Sequence, residues 1–385
     1  MFVNIPLILF AYITLSLILS LNLAIKWKCF WGALVLLSAG RLGIMRYFWG
    51  GLGGIEVPKV PLYITSFFQG TVFILFFLLV LLDLIYVLTF LFNFSHHKEL
   101  GLFFRSSLKS IPCAWVLLIV SSLISSYALY EAARVPDIKH TKITLKKWPQ
   151  NLDGLRVVII SDLHLSRFFD QAWATEVTQK VNSLDPELVL IPGDLVDGEK
   201  TIRYPDVEPL RGLKSHFGVF MSVGNHEYIS QIEDWLPVFR ELGIRNLYNQ
   251  HTVVNIQGTD IILAGVTDPT AQRRGLPTPD LDRALKGVPL DGPPVILLDH
   301  RPAHAIKNAL DGRVDLQISG HTHGGAIPLV ATFIKTVNSG FLKGWYQVGD
   351  LQMYLHPGTG LWSGFPMRLF NPSEITLLKI HAPLP

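Results

Sequence analysis

The segment Gly320-His321-Thr322-His323-Gly324-Gly325 sets two imidazoles one residue apart in a frame of glycines, far downstream of Ser161-Asp162-Leu163-His164. Between the two stand Gly193-Asp194, Gly224-Asn225-His226-Glu227 and Leu298-Asp299-His300-Arg301-Pro302, and each cluster follows an apolar run. Carboxylate, imidazole and amide oxygen are the donors that hard and borderline divalent cations select. Five histidines, two aspartates and an asparagine at five successive strand ends therefore suit a hydrolase that works with two metal ions.

Taken singly, most of these clusters also have plain readings. Asp162 and His164 are two residues apart, so an extended chain would aim both at one face of a sheet, and isolated pairs of this kind are common. Asp194, with Asp197 and Gly198 after it, could be a solvated acidic turn. Asn225-His226 after a glycine could cap the helix that follows. His321 and His323 resist such a reading, because imidazoles among glycines have little packing value and glycine lets the backbone come close to an ion.

Positioning such clusters needs strands that end together. Residues 155–160 form a continuous apolar, β-branched run of the buried-strand type leading into Ser161. Residues 171–184 read as a helix and 187–191 as a strand ending in Pro192-Gly193-Asp194. A helix is expected at 207–214, a strand at 218–223 ending in Gly224, and a helix at 232–242. Three strand-then-ligand units separated by helices predict an α/β core with the site at the carboxyl ends of the strands. The pattern then turns β-rich, with strands expected at 252–256, 261–266, 295–298, 316–319, 352–355 and 375–380.

The chain of 385 residues is 49% apolar, with a mean hydropathy of +0.36 and a pI near 8.7, too hydrophobic for one ordinary water-soluble domain. Residues 1–93 hold only Lys26, Lys28, Arg41, Arg46, Glu56, Lys59 and Asp83 as charges, whereas 137–385 carry 24 Lys/Arg and 26 Asp/Glu. The chain thus divides into a membrane part (1–133), a linker (134–150) with Pro136 and Pro149, and a water-soluble part (151–385) long enough for a full core. Basic residues flank the apolar segments rather than forming a polybasic face, which argues against nucleic acid as a partner. Cys29 and Cys113 both lie in apolar segments, so disulfide scaffolding and cysteine-ligated zinc are excluded from the soluble part.

About four transmembrane helices are expected, near 5–25, 30–49, 62–92 and 113–130. The first run lacks the basic start and small-residue cleavage site of a signal peptide and reads as a retained helix. Arg41 and Arg46 fall in the second; Arg41 would need a partner, either Asp83 or a watery cleft. With four spans, Lys26, Lys28, Lys98, Arg105 and Lys109 share one side and Arg46 and Lys59 the other. The spans predict an integral protein, of the inner membrane in a bacterium, and the bias predicts a C-terminal domain outside the cytoplasm. Should 30–49 not span, the side must be argued again.

Residues 155–380 resemble the calcineurin-like metallophosphoesterase family. The family's blocks (D-x-H, G-D-x-x-D-G, G-N-H-[DE], a lone H, G-H-x-H) stand here in order from Asp162 to His323. The branch most similar is that of the bacterial phosphoesterases YaeI and YkuE and the membrane-anchored lipid pyrophosphatase LpxG. The grounds are Leu298-Asp299-His300-Arg301-Pro302, Gly320–Gly325, and a C-terminal stretch with Gly360, Gly364, Pro366, Arg368, Leu369, Phe370 and Asn371. Ala326 departs from the branch, which often has glutamine there; no ligand is lost, but a polar contact near the substrate is put in doubt.

The resemblance implies a four-layer αββα sandwich with mixed sheets and a centre of two divalent ions (Mn, Fe, Zn or Mg/Ni). Asp162, His164 and His323 would hold one ion, Asn225, His300 and His321 the other, and Asp194 would bridge them. A shared carboxylate keeps two cations ~3.5–4 Å apart, a spacing that clamps a phosphoryl group and activates a bridging hydroxide. His226 would be the catalytic residue that protonates the leaving oxygen or steadies phosphoryl charge. Asp197 would orient imidazoles, and Glu227 would do the same or face solvent.

The activity so implied is metal-dependent hydrolysis of a phosphodiester or pyrophosphate, on a small-molecule or lipid-linked substrate at the membrane. Residues 327–349, with Phe333, Ile334, Phe341, Leu342, Trp345 and Tyr346, read either as a core hairpin or as an apolar flap that admits acyl chains or rests on the bilayer. A transport or sensor protein whose phosphoesterase-like domain only binds ligand is the alternative; it would lack a ligand or His226, and neither is missing. A phosphoserine phosphatase is permitted by the family, with no residue that selects it.

Overall fold

Continuous apolar runs become buried strands because a sheet covered on both faces has no room for polar side chains. The C-terminal part of the chain builds two such sheets. The strands are β1 (Asp137–Thr144), β2 (Leu155–Ile159), β3 (Leu188–Pro192), β4 (Val219–Ser222), β5 (Ile244–Asn246), β6 (Gln250–Ile256), β7 (Thr259–Gly265), β8 (Val295–Leu298), β9 (Leu316–Ser319), β10 (Gly344–Val348), β11 (Leu351–Leu355) and β12 (Glu374–His381). One sheet runs β1-β12-β2-β3-β4-β5, the other β10-β11-β9-β8-β7-β6. In the first, β2 to β5 are parallel, with Val157 opposite Leu188 and Val189 opposite Val219, while β12 lies antiparallel to β2. In the second, β7, β8, β9 and β11 are parallel, with β6 and β10 antiparallel at the two edges.

The computed structural model describes residues 4–49, 57–91 and 110–384. They fall into two units, 4–49 with 57–91 and 110–130, and 131–384. In the second unit the inner faces of the sheets meet in one core: Val157, Ile159, Leu188, Leu190 and Phe220 from one, Ile261, Leu263, Ile296, Leu298, Leu316 and Ile318 from the other. The outer face of the second sheet buries Ile262, Val295, Leu297, Met353 and Leu355 against Ala284 and Ala305 of two short helices. Trp173, Val177 and Val181 of Gln171–Asn182, and Trp235, Val238 and Phe239 of Ile232–Glu241, are the buried stripes of helices from the first half. The architecture is the expected αββα sandwich.

Three local expectations need correction. Residues 137–144, expected in the linker, are β1, paired parallel with β12 from Asp137 opposite Glu374 to Thr144 opposite His381. Only Ile143 of this edge strand is buried, so it carries none of the apolar pattern that marks a covered strand. The helix expected at 207–214 lies earlier, at Lys200–Val207, and gives way to a 3₁₀ turn at Glu208–Gly212; Pro209, which has no N–H, ends the α-helical ladder. Residues 327–349 form a helix, Pro328–Val337, and then β10, not a hairpin alone; the helix leaves Phe333 and Val337 more than half exposed.

The first unit is helical: Asn4–Ile13 running into a π-turn at Thr14–Ile18, Ile25–Ala39, Arg41–Trp49, Lys59–Leu91 and Ile111–Ala133. Among the described residues two helices are long and apolar enough to cross a membrane, Lys59–Leu88 and Ile111–Ala133, fewer than the four expected. The run 5–25 breaks after Ile18, where Leu19 bonds back five residues to Thr14 and the Ser20 hydroxyl to Ser16 O. The run 30–49 is interrupted at Gly40. Arg41 is buried, so it does not face a watery cleft, and it donates to Thr65 Oγ1 (3.0 Å) and Gln69 Oε1 (2.9 Å), while Asp83 accepts from the Tyr12 hydroxyl. Lys98, Arg105 and Lys109 lie outside the described residues.

Candidate metal centre

Five strands end at one place. Asp162 and His164 follow β2, Asp194 and Asp197 follow β3, Asn225 and His226 follow β4, His300 follows β8, and His321 and His323 follow β9. The first three strands belong to one sheet and the last two to the other, so the side chains converge across the sandwich edge. Hydrogen bonds tie the two halves: His300 Nδ1 to Pro192 O at 2.8 Å and His321 N to Asp162 Oδ1 at 2.9 Å.

Convergence depends on unusual backbone. Asp162, His164, Asp194, His321 and His323 all have φ between 47° and 75°, a region that costs an L-residue roughly 1 kcal/mol or more. The D-x-H pair therefore does not reach one face by strand alternation. Asp162 N donates to Gly193 O and His164 N to Asp194 O, and these left-handed turns aim both side chains inward. Glycines supply the space: a Cβ at Gly320 would stand 2.3 Å from Asp162 Oδ2.

Asp162, His164 and His323 offer ligand atoms within 4.8 Å of one another, and so do Asp194, His300 and His321. Asp194 Oδ2 stands 3.1 Å from His300 Nε2 and 3.8 Å from His164 Nε2, while its Oδ1 accepts from His226 N. His164 Nε2, His323 Nδ1 and Asn225 Oδ1 are buried with no hydrogen-bond partner. Buried polar atoms are rarely left so, and these are lone-pair donors of the type a borderline divalent cation takes. The residues present fit such an ion. Asn225 is the first residue of the helix Asn225–Ile229, with Gly224 at the cap, so it is not the cap itself.

Asp197 Oδ1 meets His164 Nδ1 at 3.0 Å and His226 Nδ1 at 2.6 Å. One buried carboxylate thus fixes two rings, leaving each Nε2 to face the centre. His226 joins His164 and Asp194 in a third close group and lies 6.5 Å, ring to ring, from Trp362. Glu227 orients no imidazole and does not face solvent. It is fully buried and accepts from the backbone N–H groups of Asp194 (3.0 Å), Leu195 (2.6 Å) and Gly224 (2.6 Å), clamping two ligand loops together.

The electrostatics follow from packing carboxylates and imidazoles without water. Burial opposes a charge on His300, yet Asp194, Asp162 and Asp268 together outweigh it and raise its pKa to about 10. Burial likewise opposes a charge on His226, which Asp197 and Asp194 lift to about 9. Burial disfavours the ionised form of Asp194, but His300 and His226 hold its carboxyl well below the usual range. Burial and the Asp194 charge push Glu227 up to about 6. Burial and the nearby Arg301 keep His321 neutral, and burial with His164 does so for His323.

Sequence reasoning missed three neighbours. Arg301 spans fully buried Asp268 (Nε to Oδ2 2.6 Å) and His321 (Nη1 to Nε2 2.5 Å). Asp268 also follows a strand, β7, and that position was the available signal. Arg368 is wholly buried and donates to the carbonyls of His323, Pro357, Gly360 and Asn371, holding the His323 loop from behind. Ala326, at the glutamine position of the branch, has φ 53° and accepts Leu369 N at its carbonyl.

The profile of calcineurin-like phosphoesterases matches residues 155–325. The chain is 33% identical over 301 residues to an uncharacterized metallophosphoesterase of Helicobacter pylori (strain 26695), covering 77% of this chain and 79% of that one. It is 30% identical over 264 residues to the uncharacterized metallophosphoesterase YkuE of Bacillus subtilis, covering 66% and 89%. The chain belongs to the calcineurin-like phosphoesterase family. A Danio rerio transmembrane protein with metallophosphoesterase domain is 37% identical over 269 residues, 67% of this chain; the match spans 60% of that relative's length.

Proposed function

We propose that the chain is a membrane-anchored phosphohydrolase acting on a phosphodiester or pyrophosphate, with Asp162, His164 and His323 holding one divalent cation, Asn225, His300 and His321 a second, and Asp194 shared. The observation that carries this reading is the position of Asp194, whose Oδ2 lies 3.8 Å from His164 Nε2 and 3.1 Å from His300 Nε2. Bound cations supply an activated water for in-line attack and offset charge on the phosphoryl oxygens. The chain's own groups do the rest. His226, held through Nδ1 by Asp197, keeps a proton at neutral pH and gives it to the leaving oxygen. Burial of Asp194, His164 and His300 excludes bulk water and strengthens every charge interaction at the centre.

A lipid-linked substrate suits the apolar surface that follows the ligands. Phe333 is 54% and Phe370 78% exposed, and Leu369 N bonds to Ala326 O, so Phe370 adjoins the segment leading into Pro328–Val337. The helical unit contains an apolar cavity of about 370 Å³ lined by Leu17, Trp31, Val35, Phe67, Leu75 and Trp115.

The test uses the full chain in detergent with Mn²⁺ against an aryl phosphodiester, a monoester and a lipid pyrophosphate in mixed micelles. Asp194→Asn should lower turnover about 100-fold in a chain that keeps its secondary structure by circular dichroism. Retained turnover in that variant would overturn the reading.

A further inference from the structure

Arg301 is fixed along one edge. Its Nε donates to Asp268 Oδ2 at 2.6 Å, and its Nη2 reaches Asp268 Oδ1 at 3.3 Å and Thr270 Oγ1 at 3.4 Å. Asp268 is fully buried and is held in turn by Thr270 N at 2.8 Å. The other edge presents Nη1 to His321 Nε2 at 2.5 Å. A quarter of the Arg301 side chain remains exposed, so the guanidinium sits at the rim of the centre rather than inside the core.

A guanidinium has only donors, so His321 must turn a lone pair toward it from Nε2 and carry its proton on Nδ1. A neutral imidazole has one such lone pair. A cation on His321 needs it as well, whichever ring nitrogen it uses. On Nε2 the ion takes the place of Arg301; on Nδ1 the proton moves to Nε2, and two donors face each other. The hydrogen bond and the cation exclude one another.

We infer that Arg301 competes with the cation for His321, and that cation binding frees the Nη1 N–H now held by His321 to grip a phosphoryl oxygen of the substrate. The guanidinium does not drift away, because Asp268 keeps Nε and Nη2. A donor released beside the centre lacks a partner, and an anionic phosphate oxygen is the acceptor its planar geometry suits. Arg301 is thus a phosphate-binding residue whose availability depends on metal loading. This rests on His321 being a cation ligand, as proposed above.

Competition gives the two steps opposite signs. Full-length protein stripped by chelator is titrated with Mn²⁺ calorimetrically, then assayed with an aryl phosphodiester and titrated with inorganic phosphate. Arg301→Met should bind Mn²⁺ tighter, roughly 3–10-fold, because a competing hydrogen bond is gone. In the Mn²⁺-loaded form it should bind phosphate weaker, and raise KM, by about 10–100-fold. Arg301→Lys, which keeps the charge without the fork, should fall between, and it serves where the Met variant fails to fold. Mn²⁺ affinity that is unchanged or weaker in a folded variant overturns the inference, as does tighter Mn²⁺ binding with unaltered phosphate affinity. A wild-type chain that binds no Mn²⁺ defeats instead the metal reading beneath it.

Discussion

Gly224 faces Asp194 so closely that a methyl group on it would stand 2.2 Å from Oδ1 and 2.7 Å from the amide nitrogen. The φ of Gly224 is −102°, which any residue adopts, so glycine is required here by space alone. Gly224→Ala must push the Asp194 loop away from His300, and overpacking of this kind costs about 1–3 kcal/mol. The expected outcome is a lower melting temperature and loss of Mn²⁺ binding in calorimetric titration. A variant that binds Mn²⁺ like wild type would show that Asp194 has no part in holding the ion.

Asp197 serves two rings with one oxygen, and its removal should be felt at both. In Asp197→Ala, His164 and His226 lose the acceptor on their Nδ1 atoms and can flip or change tautomer. Removing such a partner typically lowers metal affinity about 10–100-fold. Turnover should fall further than affinity, because His226 loses both its orientation and the charge that keeps it protonated. Equal losses, or loss of affinity with turnover at saturating Mn²⁺ intact, would contradict a role for His226 in proton transfer.

Glu227 predicts a structural effect of a different kind. Its carboxylate has only acceptors and meets three backbone donors. Glu227→Gln puts an amide NH₂ against at least one of those N–H groups, and a buried donor left without an acceptor costs about 1–3 kcal/mol. The melting temperature should drop in the metal-free chain and recover in part with Mn²⁺, since an ion bound only by the folded state stabilises it. A variant as stable as wild type without metal would mean the loops are held elsewhere.

What was legible in the sequence divides along physical lines. β8 is a short, wholly buried strand, Val-Ile-Leu-Leu, and an unbroken apolar run announces it at its exact bounds. β1 pairs along the polar, exposed edge of a sheet, and nothing local separates such a strand from a linker. The residue types at the site were readable because carboxylates and imidazoles at strand ends have a limited range of uses. Their backbone was not: the left-handed φ of Asp162 and His164 arises from long-range bonds to Gly193 and Asp194, which no window around Asp162 contains. Glu227 and Arg301 were misjudged or passed over for the same reason, since their partners lie on other strands. In the helical unit, hydropathy located the apolar runs but not the interruption at Gly40 or the π-turn after Ile13.

His356 yields a pH dependence free of the metal centre. It is fully buried after β11, and its Nδ1 accepts from Gly358 N at 3.0 Å. Burial pushes its pKa down to about 4, with Glu374 opposing only in part. In the unfolded chain the same ring titrates near 6.5. Between those values the unfolded chain holds more protons than the folded one, so stability falls as pH drops from about 6.5 to about 4 and levels off below. A gap of this size is worth at most about 3 kcal/mol. In His356→Asn the amide oxygen can still accept from Gly358, but no proton is taken up, so the loss of stability across that window should be smaller by up to that amount, seen as a shallower fall in melting temperature. Parallel melting curves for the two proteins from pH 7 to pH 4 would place the protonation of His356 outside the unfolding equilibrium.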